Sequence, residues 1–238
     1  MGSHRYFIAH AHFYQPPRED PLTNEVPAEV GAFPFHDWNE KVYQTCYLPN
    51  LSIGNLSRIS FNIGPTLTRW MRKNHSESFN RIVEADQESF RLTGHGNAIA
   101  QPYHHTILPL ATTVEKRLEI QWGIQDFVQT FGRSPEGMWL PETAVDLETL
   151  CILVDKGIKF TILAPWQVES KVGTNTPFKI DLPAGRSIVV FTYSTEISSR
   201  ASFDEIATSN ADLFSANYVV PTYTGNDSDQ VVMMATDG

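Results

Sequence analysis

An α/β fold built on parallel strands is what this sequence predicts, and three observations predict it. Short apolar runs alternate along the chain with segments whose apolar residues recur at helical spacing. The clearest unit is Gly137-Met138-Trp139-Leu140-Pro141, then Glu142, then Asp146 to Gly157: strand, loop with a carboxylate, amphipathic helix, glycine stop. The next apolar run, Phe160 to Leu163, follows so closely that a parallel architecture sets it beside the first strand, with the loop ends on one rim. A chain of 238 residues holds a sizeable core, and one catalytic domain over 1–238 is expected, since single α/β barrels of about 250 residues are ordinary.

In order, Arg5 to Ala11 reads as the first strand, with His10 and His12 on one face. Pro16-Pro17 ends it and opens a long loop over residues 17 to 37, of the kind that serves a site or a lid. Asn39 to Leu48 suits a short helix, Ser60 to Ile63 a second strand, and Thr66 to Lys73 a helix with apolar Leu67, Trp70 and Met71. Another helix covers roughly Ser78 to Ser89, and Ala98 to Pro102 is a short strand delivering Tyr103-His104-His105 to a loop. Val114 to Phe131 is the clearest helix, its stripe read as Val114, Leu118, Ile124, Phe127, Val128 and Phe131 before Gly132. In the Asp146-capped helix the apolar positions are 147, 150, 151 and 154. Ser187 to Phe191 is a strand, Phe203 to Tyr218 a weaker helix, and Val231 to Ala235 the last strand. No helix follows to cover that strand, which predicts a barrel truncated before its closing elements, of marginal stability or self-associating through an uncovered edge.

Charge narrows the partners. A net charge of -9 with 19% charged residues and no block of five like charges argues against nucleic acid or anionic lipid. The N-terminus lacks a charged start followed by an apolar segment, and no run approaches membrane length, so a soluble cytoplasmic protein is expected. Cys46 and Cys151 have no metal-type spacing and read as small core residues in a reducing compartment.

Two carboxylates stand directly after apolar strands, Glu142 and Asp237, and two acids converging on one bond is what glycoside hydrolysis requires. A retaining pair sits roughly 5 Å apart and an inverting pair several Å wider, which sequence spacing does not distinguish. Each acid alone also suits a surface or turn position. His10, His12, His95, His104 and His105 lie near strand ends; an HxH strand can hold zinc if a third ligand such as His105 or Asp237 joins it, or can bind sugar hydroxyls unmetallated. Among nearby aromatics, Tyr14, Trp38, Tyr103, Trp139 and Trp166, the strand residue Trp139 is expected in the core. Trp166, after Leu163-Ala164-Pro165, is expected against substrate.

Through HAHFYQPP at 10 to 17, GNAIAQPYHHTILPL at 96 to 110, GMWLPE at 137 to 142 and ATDG at 235 to 238, the chain resembles glycoside hydrolase family 57, in its alpha-amylase/alpha-mannosidase-like branch. The resemblance spans nearly the whole chain and is strongest at GMWLPE. It implies an incomplete seven-stranded (β/α) barrel, with Glu142 as nucleophile and Asp237 as acid/base. It assigns His10, His12, Gln15 and His105 to sugar binding, beside Trp166 from the reading above. The activity expected is retaining hydrolysis or transfer on α-linked glucan or oligosaccharide, with no metal or other cofactor. Two alternatives stay open at this level: a metal-dependent hydrolase such as a polysaccharide deacetylase, and a glycan-binding fragment without turnover.

Overall fold

The computed structural model describes residues 3–169, 175–225 and 228–237. Strand β1 (Arg5–Phe13) runs two residues past its expected end and lies between two parallel neighbours, β2 (Ser60–Ile63) and β7 (Gln230–Asp237). A second sheet contains β3 (Gly137–Met138), β4 (Phe160–Leu163), β6 (Arg186–Thr192) and β5 (Phe178–Leu182) in that order. All its pairings are parallel except β5 with β6. That antiparallel strand was absent from the sequence reading. Parallel bridges from Phe61 to Ala98 and from Ala100 to Met138 link the two sheets, and the Ser194 N–H, just past β6, donates to the Met233 carbonyl of β7 at 2.7 Å.

The helices differ from expectation in informative ways. Residues 38–52 form α1 (Trp38–Val42) and α2 (Leu48–Ser52), joined by a wide turn in which the Leu48 N–H reaches back to Tyr43. Pro49 lacks the N–H that a regular ladder needs, and the extra width accommodates its ring. Helices α3 (Pro65–Asn74) and α4 (Ser76–Thr93) are longer than read, and α4 ends on left-handed Gly94. In α5 (Thr113–Phe131) and α6 (Leu147–Asp155) the buried faces are rotated from the apolar stripes. Val114, Leu118, Val128 and Leu147 are exposed, whereas Ile120, Gly123, Phe127, Leu150, Ile152 and Leu153 face inward. Gly123 brings α5 against the chain at Gln101, where a Cβ would overlap the Gln101 carbonyl oxygen. Buried Lys116 gives α5 part of its inward face by pairing with Asp146 at 2.6 Å and Glu148 at 2.8 Å.

The single weak helix expected from Phe203 to Tyr218 is instead α7 (Thr195–Phe203), α8 (Glu205–Thr208), α9 (Ala211–Phe214) and a wide turn to Val219. Asp204 and Asn210 each accept a backbone N–H three residues on, which restarts the helix rather than continuing it. These pieces also correct the view that nothing covers the last strand, because Ile197 and Val219 pack on Val232.

Period two sorts the core into two layers. Ala11, Phe13, Phe61 and Ile63 point to the helices and join the larger cluster with Leu67, Met71 and Ile120. Opposite them, Ile8, Ile99, Trp139, Ile162, Met233 and Ala235 gather from successive strands into an inner cluster. The functional side chains rise from this inner face.

Candidate active site

Register alone brings most of the site together. His10 pairs with Ser60 and Ala235, and His12 with Asn62 and Asp237, so these six residues share the inner face of β2-β1-β7. Glu142 follows β3 by way of Trp139 and Leu140, in the tight turn that Pro141 opens. Glu142 (φ 55°) and Thr143 (φ 52°) both occupy the left-handed region, a conformation costing roughly 1–2 kcal/mol per non-glycine residue. Bonds from Thr143 N–H to Leu140 O at 2.8 Å and from Gln167 Nε2 to the Thr143 carbonyl at 2.7 Å hold the turn. His105 is left-handed as well, at φ 57°.

Glu142 and Asp237 both line a cleft of about 310 Å³, together with His12, Trp139, Trp166 and Tyr193. Trp166 is 69% exposed and meets the Tyr193 ring edge-on at 6.3 Å, which leaves an indole face free for a ligand. Burial, followed by the charge of Asp237, raises the Tyr193 phenol above its usual range, so it stays a neutral donor.

Beneath the cleft the histidines form a ladder. Ser60 Oγ stands 2.9 Å from His10 Nδ1, and His10 Nε2 is 3.0 Å from Asn62 Oδ1. Asn62 Nδ2 lies 2.9 Å from His12 Nδ1 and also donates to Gln101 Oε1. His12 Nε2 then meets His105 Nε2 at 3.0 Å. Trp139 stacks on both strand histidines at 5.1 Å, and Tyr14 stacks on His105 at 3.8 Å. Desolvation pushes His10 down to about 3 and His12 to about 4, with the neighbouring imidazole adding to the fall in each. His105 is lowered by burial, opposed by the charges of Glu142 and Asp237. The three rings are neutral at pH 7.

The expected residues thus divide. Glu142, Asp237, His12 and Trp166 line the cleft, and His105 touches His12 within the field of both acids. His10, only 1% exposed, lies behind His12 with both nitrogens occupied. Gln15 sits to the side, donating to Tyr47 Oη at 3.3 Å and accepting from Arg18 at 3.2 Å. Two of the five histidines belong elsewhere: His95 pairs with Glu136 and His104 with Glu119. Trp139 is buried as expected but also stacks on the histidines, whereas Trp38 lies under Lys41 and Tyr103 beside Trp122. Asn62, Gln101 and Tyr193 were missed. Asn62 carried a signal, being a polar residue at the inward position of an apolar strand. Among the described residues no three His, Cys, Asp or Glu side chains converge as a metal centre, and Gly238 of the last motif lies outside them.

Two carboxylates opening on an aromatic cleft, at the strand ends of a parallel α/β scaffold, are the groups that glycoside hydrolysis uses. The chain belongs to glycosyl hydrolase family 57, whose family model matches residues 7–238. It is 24% identical over 138 residues to Alpha-amylase 1 of Dictyoglomus thermophilum, a match covering 56% of this chain and 19% of that protein. The solved 4-alpha-glucanotransferase from Thermococcus litoralis aligns over 99% of this chain and 34% of its own, with TM-score 0.71 and 16% identity. A Mycobacterium smegmatis protein described as a polysaccharide deacetylase aligns over 100% of this chain and 78% of its own, with TM-score 0.63 and 16% identity. At such identities the two structures show the fold alone. The chain spans about a fifth of the curated relative and a third of the glucanotransferase.

Proposed function

We propose that this chain carries the catalytic site of a retaining glycoside hydrolase or transglycosylase acting on α-linked glucan or oligosaccharide. The observation that carries the reading is the shared cleft of Glu142 and Asp237 in a chain of this family. Glu142 attacks the anomeric carbon as the bond to the departing oxygen breaks, and Asp237 gives that oxygen its proton. Asp237 then takes a proton from water or an acceptor sugar, which displaces Glu142 and restores the starting configuration. His105 and Tyr193 supply neutral hydrogen-bonding groups for sugar hydroxyls, His12 lines the cleft and holds His105 in place from beneath, and the free face of Trp166 stacks on a ring. No cofactor enters this scheme. The parallel order β7-β1-β2, the Ala98–Ala100 segment, then β3-β4-β6 supports an incomplete seven-stranded barrel as the scaffold. Its β6–β7 junction rests on the Ser194 bond, and self-association there is read by concentration-dependent light scattering.

The test is turnover of α-glucan oligosaccharides by the wild type, Glu142→Gln and Asp237→Asn. Loss of kcat on the order of 10⁴-fold in Glu142→Gln is expected, with oligosaccharide binding retained. Anomeric NMR of the first product should show retention. Full turnover by Glu142→Gln, or an inverted product, rejects the assignment.

A further inference from the structure

We propose that Asn62 is the positioning residue of this site: its side-chain amide fixes His12 as the tautomer protonated on Nε2, so that the histidine ladder donates toward His105 and the cleft. The proposal deepens the glycosidase reading and rests on it for its catalytic consequence, though not for its structural content.

The argument is one of counting hydrogens. Asn62 is fully buried and reaches three side chains. Its carbonyl oxygen, 3.0 Å from His10 Nε2, can only accept, so His10 carries its hydrogen there and its Nδ1 accepts from Ser60 Oγ at 2.9 Å. The two amide hydrogens go to Gln101 Oε1 and to His12 Nδ1, the latter at 2.9 Å. A neutral imidazole that accepts at Nδ1 has its hydrogen on Nε2. Across the 3.0 Å gap to His105 Nε2, one hydrogen serves two nitrogens, and it belongs to His12. His105 therefore accepts at Nε2 and keeps its own hydrogen on Nδ1.

The opposite polarity has His12 Nδ1 donating to Asn62 Oδ1, which lies 3.2 Å away against 2.9 Å for the amide nitrogen, but that oxygen already faces His10 Nε2 at 3.0 Å and one buried Asn62 hydrogen would then lose its acceptor. Either way a buried end of Gln101 is left over, its Nε2 in the present arrangement. The titratable groups facing His12 are His10 on its own strand, Tyr14 just past that strand, His105 from the loop after Ala100, and Asp237 from β7; Glu142 faces His105. Burial keeps the rings neutral at pH 7, so amide orientation rather than charge decides the polarity.

The experiment is two-bond ¹H–¹⁵N correlation NMR of the histidine side chains at pH 7, in the wild type, Asn62→Asp and Ser60→Ala. In the wild type, His12 should show a bare Nδ1 and a protonated Nε2. Asn62→Asp replaces the donor by an acceptor of the same shape, so His12 should gain a proton on Nδ1. The same variant should lose at least about 10-fold in kcat on α-glucan oligosaccharides and move the acidic limb of the pH profile upward. Ser60→Ala should change His10 and leave His12 as it was. A wild-type His12 protonated on Nδ1 overturns the proposal, as does an unchanged His12 in Asn62→Asp or a switched one in Ser60→Ala. If the wild type turns over no α-glucan, the substrate reading fails while the NMR result still decides the tautomer.

Discussion

Acidification should weaken this fold through the two strand histidines, and the size of the effect follows from their burial. His10 and His12 titrate near 6.5 when unfolded, but at about 3 and about 4 in place. A depressed folded value means that the unfolded chain binds the proton first as pH falls. Stability is therefore fully present above 6.5 and is lost between 6.5 and about 3 to 4. Each ring costs about 1.4 kcal/mol per pH unit in that window, hence about 2 kcal/mol at pH 5 and about 4 kcal/mol for the pair. That is a large share of the roughly 5–15 kcal/mol that holds a domain. Urea unfolding at pH 7 and pH 5 measures it, with His10→Gln as the control. Glutamine can accept from Ser60 and donate to Asn62 without titrating, so the variant should lose only about 2 kcal/mol over the same interval. Equal losses in the two proteins would refute the claim that His10 is held neutral by burial.

Two further outcomes are expected. Asp86 is fully buried and is held by a two-pronged ion pair with Arg133 at 2.7 and 2.8 Å, which also anchors Ala98; Arg133→Met should cost about 3–5 kcal/mol and lower the melting temperature by about 10 °C, with part of the loss recovered when Asp86→Leu is added. Trp166→Ala should leave the melting temperature unchanged, since the ring is largely exposed, and raise KM for α-glucan oligosaccharides about 5-fold, as expected for an interaction of about 1 kcal/mol; an unchanged KM would remove Trp166 from the binding surface.

Much of the strand layer was legible because burial on both faces leaves a mostly apolar run, as in Phe160 to Leu163 and Val231 to Ala235. Helix faces were less so. In α5 the inward positions include Lys116, Glu119, Gly123 and Thr130, which no hydrophobicity pattern marks as buried. Lys116 is inside because Asp146 and Glu148 wait for it there, and Gly123 because the backbone at Gln101 comes too near for a side chain. Both reasons belong to tertiary structure. At the site, Glu142 and Asp237 were marked by position after a strand, and His12 by alternation. Asn62 showed only as a polar residue at an inward strand position, since its importance lies in a register that places it between two histidines of another strand. The antiparallel β5 escaped for a similar reason: its alternation of half-buried and exposed residues is that of an edge, with little apolar run to find.

The site combines a rigid floor with a strained rim, and the two are physically linked. Glu142, Thr143 and His105 all hold left-handed backbone without being glycine, a state that persists only where surrounding contacts over-determine it. For the Glu142 turn those contacts come from Gln167, whose carbonyl accepts the Ala164 N–H while its amide grips the Thr143 carbonyl, tying the turn after β3 to the end of β4. For His105 they come from the Tyr14 stack and the His12 bond, both anchored on β1. Strain on the rim is thus restrained by two strand ends rather than by the loops themselves. A loop free to relax would let the Glu142 carboxylate wander over the cleft. Fixed this way, it keeps one place on the cleft beside His105, and the two-carboxylate mechanism proposed for this site depends on that constancy of position.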